Sequence, residues 1–374
     1  MSASDTRGDR AHWHDHPGFA FGSTRATHAA RAFAAIALLA LGGCSSIEFY
    51  WQGIAGQLDL YSRAKPIDAV AEAATDPALK ARLARVKTIR AFASRELALP
   101  DNGSYTRYAD LGRPFVVWNV FAAPELSLTP RQWCFPIAGC VNYRGYFAEA
   151  DARAEGARLA ATGDDVYVGG VPAYSTLGYF DDPVLSSFIG YREPELARLL
   201  FHDLAHQVVY VKDDTAFNES FAVAVEEEGL RRWLEAQRER PDAAALAAAV
   251  ARAAALQSEF RAMVRRTRER LTALYASDLP DAEKRAGKAA AFAQMRAEHE
   301  AMKAAANGAP VFDRWFAAGA NNAGIAAVAL YEDRVPEFRA LLAAEGGDLP
   351  RFYARVKAIA ALPKAERDAA LRPG

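Results

Sequence analysis

Cysteine and histidine are scarce in this chain: three and seven among 374 residues. Four of the histidines lie in the first 28 positions, so His202, His206 and His299 serve all the rest. An excess of either charge is missing too. Forty-five Lys and Arg face 46 Asp and Glu, a net charge of −1, with no basic tract and no aromatic–basic interleaving. That removes the electrostatic case for a nucleic-acid partner. Apolar length is also short. The run AFAAIALLALGG, Ala32 to Gly43, has twelve residues, whereas a helix crossing a bilayer takes about 20. No internal repeat appears. What is there is ordinary for a folded protein: 51% hydrophobic and 24% charged residues. The length suffices for one large or two ordinary domains.

The short apolar run has a use of its own. Arg25, His28 and Arg31 precede it, as in a signal peptide. It ends in LGGC, which resembles a bacterial lipobox. The expectation is that residues 1–43 are removed and that Cys44 is lipidated. A plain signal peptide with a chance cysteine is the alternative. Ser45 resembles the residue found in lipoproteins sorted to the outer membrane. The expected location is therefore the outer membrane, facing the periplasm, with membrane contact through the lipid anchor alone. Cys134 and Cys140 remain, in WCFPIAGCVNYRGYF. Their spacing is atypical for zinc. An exported chain meets an oxidising compartment, which favours a disulfide between them over two free thiols.

The pattern predicts an α+β fold, predominantly α-helical. Residues 45–64 read as a first helix with Phe49, Trp51, Ile54, Leu58 and Leu60 on its apolar face, and 67–100 continue helically. A sheet-containing part spans about 105–185, with strands in RPFVVWNVFAAPEL, RGYFA and DVYVGGVPAYSTLGYF around a helix near 150–163. They are expected to form one small mixed sheet. The Gly and Pro in the last strand mark it as an edge or irregular strand; as an edge it is either structural or open to strand addition by an extended peptide through Gly170 and Tyr174. From 190 to 374 the chain reads as helical. PELARLLFHDLAHQVVYV forms one helix, and NESFAVAVEEEGLRRWLEAQ a second with Asn218 as its N-cap. Residues 242–276 and 281–305 form a long hairpin, followed by C-terminal helices.

The chemistry gathers in FHDLAHQVVYVKDDTAFNESFA, residues 201–222. His202 and His206 are one helical turn apart on one face, so both imidazoles can reach one ion. Their neighbours Leu199, Leu200, Phe201, Leu204 and Ala205 are apolar. Burying two unpaired imidazoles there costs roughly 1–3 kcal/mol each, and a metal removes that cost. Glu219, at the start of the next helix, can complete a three-ligand set with one position left for water.

This segment resembles the gluzincin metallopeptidases, whose signature is HExxH followed by Glu on the next helix. HDLAHQ and DDTAFNESFA are similar to the aminopeptidase branch. YWQGIAGQLDLYSRAKPI, CFPIAGCVNYRGYF, VPAYSTLGYFDDPVL and NNAGIAAVALYEDRVPEF resemble a bacterial family of predicted zinc aminopeptidases, often lipoproteins, over most of residues 45–355. The resemblance implies one zinc ion held by His202, His206 and Glu219. It implies Asp214, beside Asn218, as the carboxylate that orients a ligand imidazole. It also implies Tyr331 as the donor to the developing oxyanion, with Tyr174, Tyr179 and Tyr210 as rivals. Asp203 stands at the general-base position, where the signature has Glu. It is shorter by one methylene, and a misplacement of about 1 Å costs on the order of 100-fold in rate. Glu226 and Glu227 are the nearby carboxylates that could substitute, though with Glu228 they read more readily as a solvated face. No G-x-M-E-N segment is present to hold a substrate's free amine. The expected activity is zinc-dependent peptide hydrolysis, as an aminopeptidase. The alternatives are a catalytically weakened, zinc-stabilised binding module and a metal-free structural lipoprotein.

Overall fold

A computed structural model of the chain describes residues 49–135, 139–329 and 334–372. The leader, Cys44 and Tyr331 lie outside the described residues. The chain divides into two compact units, Met1–Trp51 and Gln52–Gly374. The fold is α+β and mostly helical. No helix among the described residues is long and apolar enough to cross a membrane.

Helix α1 (49–63) is followed by β1 (Lys65–Pro66), α2 (Ile67–Ala73) and α3 (Pro77–Leu97). Pro77 and the Asp76 cap, which accepts from the Ala78 amide, split the expected continuous helix. On α1 the expected apolar face separates: Leu60 is buried, while Trp51, Ile54 and Leu58 are exposed. Next come β2 (Arg107–Ala109), β3 (Val117–Pro124), β4 (Trp133–Phe135), β5 (Gly139–Val141), β6 (Arg144–Tyr146), α4 (Glu149–Ala160), β7 (Asp164–Val171) and β8 (Val184–Leu185).

These strands do not join one mixed sheet. They form three small ones: β1-β2-β8, β6-β3-β7 and the hairpin β4-β5. The reason is burial. β3 is buried along seven of its eight residues and holds both neighbours antiparallel, so it behaves as a centre strand. The three-residue strands around it are too short to extend the ladder. β7 lies at the sheet's edge. Cys134 and Cys140 face each other across β4-β5 and are disulfide-bonded.

The helical part holds α5 (Glu193–His206), α6 (Thr215–Ala236), α7 (Ala243–Ala276), α8 (Asp281–Ala305), α9 (Asp313–Ala317), α10 (Asn322–Ala329), α11 (Val335–Ala344), α12 (Leu349–Ala360) and α13 (Lys364–Ala370). Helices α7 and α8 form the expected hairpin. The main core joins α3, α5, α6, α11 and α12 through Leu200, Phe201, Phe217, Phe221, Phe338 and Phe352, all fully buried.

Candidate metal centre

The helix carrying both histidines ends earlier than its sequence pattern predicts, at His206 rather than near Val211. The Asn218 side chain explains this. It receives the Val211 amide and donates to the Val211 carbonyl, both at 2.7 Å, and so captures the backbone that would have continued the helix. Asn218 is thus not the N-cap of α6. That place belongs to Asp214, whose carboxylate accepts from the Phe217 amide at 3.2 Å. The connector is held from outside as well. Asp213 accepts from the Cys140 amide at 2.5 Å. Gly139 makes room: it has φ +75°, and a Cβ there would lie 2.1 Å from the Asp213 carboxylate. The disulfide hairpin therefore braces the turn that delivers Glu219.

With α5 and α6 fixed in this way, three side chains converge. His202 Nε2 and His206 Nε2 are 3.1 Å apart, and Glu219 Oε2 is 3.3 and 3.7 Å from them. Tetrahedral zinc with bonds of about 2.0–2.1 Å would separate its ligand atoms by about 3.3–3.4 Å. The donor set and its spacing fit that ion. Among the described residues these three form the one His/Cys/Asp/Glu group with metal-ligand spacing. The charges agree. Burial works against a charge on either group, yet the Glu219 and Glu226 carboxylates raise His202 well above its ordinary value. Burial would likewise raise Glu219, but His206 and His202 bring it far below the usual carboxylate range. The point these groups face favours positive charge.

The support of the two histidines differs. His202 Nδ1 meets Glu226 Oε2 at 2.9 Å, and Arg198 Nε donates to Glu226 Oε1 at 3.1 Å. A carboxylate acceptor at Nδ1 would hold a proton there and free the Nε2 lone pair for an ion. This corrects the solvated-face reading of Glu226, which is buried. Glu227 does lie outward, paired with Arg339. Asp214, expected to orient an imidazole, is bound instead to Arg367 Nη2 at 2.8 Å and to Lys364 at 3.4 Å. His206 Nδ1 is buried with no hydrogen-bond partner among the described residues.

Asp203 is buried in α5 and accepts a 2.7 Å hydrogen bond from Tyr105, itself 2% exposed. Burial raises the Asp203 carboxyl, against the lowering pull of His202 and of the Tyr105 bond. Ser175 Oγ donates to its backbone carbonyl at 3.4 Å. Of the tyrosine rivals, Tyr174 packs on Phe147 and has a buried hydroxyl with no hydrogen-bond partner among the described residues, while Tyr179 is 72% exposed. Burial, then the charge of Glu219, raises the hydroxyls of both Tyr143 and Tyr210. Sequence reasoning missed Tyr105, Tyr143 and Arg198. Their only signal is three-dimensional.

Beside His202 opens a cavity of about 550 Å³, between β3, β7, α5, α6, α7, α9 and α10. Gly170 lines it, as does Gly169; Tyr174 does not. β7 brings its edge to this wall.

The fold and centre thus define an α+β protein whose paired helices present two imidazoles and a carboxylate to one point. Residues 48–371 match the family described as "Putative aminopeptidase", and the chain belongs to that family. The family's description carries peptidase activity with it. No curated protein and no solved structure matches the chain.

Proposed function

We propose that the protein is a zinc-dependent peptidase, acting as an aminopeptidase, anchored by a lipid on Cys44 to the outer membrane and facing the periplasm. The observation that carries the zinc reading is the convergence of His202, His206 and Glu219 at ligand spacing. The aminopeptidase reading leans on the family, and the anchor on LGGC alone.

In this reading His202, His206 and Glu219 hold the ion. Glu226, held by Arg198, keeps the His202 proton at Nδ1. When bound, zinc acidifies water and polarises a carbonyl. Asp203 takes the proton of the attacking water and returns it to the leaving amine. Tyr105 holds the Asp203 carboxylate in place. The β7 edge offers main-chain groups to an extended peptide.

The Tyr105 bond also favours a second reading. A shorter acid held by a buried hydroxyl suits a protein that keeps its ion and has lost turnover, serving as a zinc-stabilised binding module. Metal analysis and aminoacyl fluorogenic substrates separate the two, with wild type assayed beside Asp203→Glu and Asp203→Ala. One zinc per chain with wild-type turnover above that of Asp203→Ala supports the peptidase. Equal turnover with zinc retained supports the module. No zinc after chelator-free purification removes both.

A further inference from the structure

We propose that the cavity beside His202 is a side-chain subsite, selecting substrates whose N-terminal residue is aromatic or large and apolar. This rests on the peptidase reading above and adds the substrate class to it.

Three observations carry it. The first is place. The cavity shares the His202 and Glu226 walls with the metal centre and reaches the β7 edge at Gly169 and Gly170. At Gly170 the Phe115 ring takes up the room of a Cβ, lying 2.2 Å from where that atom would sit, so the strand carries no side chain of its own there and offers its main-chain edge. A peptide main chain can approach it closely. A side chain projecting from such a peptide enters the cavity. The second is lining. Phe121, Tyr167, Phe260 and Trp315 supply aromatic walls, and Phe260 and Trp315 meet edge to face, with ring centroids 5.3 Å apart. Rings held in this way bury large apolar groups well. The third is charge. Arg198 is paired with Glu226, Glu195 with Arg192, and Arg261 is engaged as well. A charged side chain would find no free counter-ion among these groups and would lose its hydration. The volume, about 550 Å³, lies within the ~300–1,000 Å³ usual for ligand pockets.

Calorimetric titration with L-phenylalaninamide and L-alaninamide, on zinc-loaded and chelator-treated protein, tests this without turnover. Phenylalaninamide should bind at least about tenfold tighter in both forms, given that one methylene in an apolar pocket is worth roughly 10–200-fold. Ala327→Trp, which fills the cavity, should cut that ratio below about threefold. Thermal melting confirms that the variant is folded, and the wild-type ratio decides the matter if it is not. Equal binding, or none, by the wild type overturns the subsite, as does an unchanged ratio in folded Ala327→Trp. The two readings fail separately. Hydrolysis without side-chain preference overturns the subsite and leaves the peptidase standing. Preferential binding without hydrolysis does the reverse.

Discussion

Helices α5 and α8 both bury histidine, and they satisfy it in opposite ways. On α8, His299 meets the Val311 carbonyl at 2.7 Å and stacks on Phe316 with ring centroids 3.8 Å apart. Its needs are met locally. On α5, the rings of His202 and His206 point their Nε2 atoms at each other and at a carboxylate. Two imidazole nitrogens cannot both be satisfied that way without a cation or a proton between them. Burial of histidine therefore does not mark a site by itself. Convergence of ring nitrogens on a shared point does.

The largest expected effect breaks the α5 arrangement while sparing α8. His202→Ala or Glu219→Gln should lower zinc from about one to below about 0.1 per chain by mass spectrometry, and abolish hydrolysis, because a structural or catalytic site keeps at least three protein ligands. His299→Leu should leave zinc content unchanged. If both lose zinc alike, the contrast between the helices is wrong.

Next comes the acid of the α6 run that faces inward. Glu226→Gln should weaken zinc affinity by about 10–100-fold in chelator competition, the usual cost of losing a partner that orients a ligand. Glu227→Gln, on the outward side, should not. Then comes the shortened base. Asp203→Glu should change turnover by up to about 100-fold, the scale of a 1 Å displacement, with zinc content held. Tyr105→Phe should move the pH profile of turnover with little change in KM.

The smallest effect concerns Asp182, buried near the same helix. Burial pushes its carboxyl up to about 7, against the Thr176 hydrogen bonds and with Asp203 adding to the rise. A carboxyl raised by folding stabilises the fold below its unfolded value, and that stability is lost as pH climbs to about 7. Asp182→Asn should therefore compare more favourably with wild type at pH 8 than at pH 5 by thermal melting.

The convergence of His202, His206 and Glu219 was legible because helical spacing and the short connector put them within local reach. The supports were not. Glu226 stands in an acidic run that reads as solvent-facing, and its partner Arg198 is 28 residues away. Asp214 looks like a helper to the histidines until Arg367, 153 residues on, claims it. Tyr105 reaches Asp203 across 98 positions. The sheet was misjudged for a related reason: strand identity is local, but the division into three sheets depends on how long each strand runs beside its neighbours. The early end of α5 was hidden because one Asn218 side chain, not helix propensity, stops it.

Arg198 belongs to the cavity wall and also grips Glu226. Lysine cannot reproduce its planar fork. A variant library at this position, selected for altered substrate taste, would thus be screened for metal retention at the same time. In the proposed reading, choosiness and cofactor loading meet at one side chain, and neither would be tuned there alone.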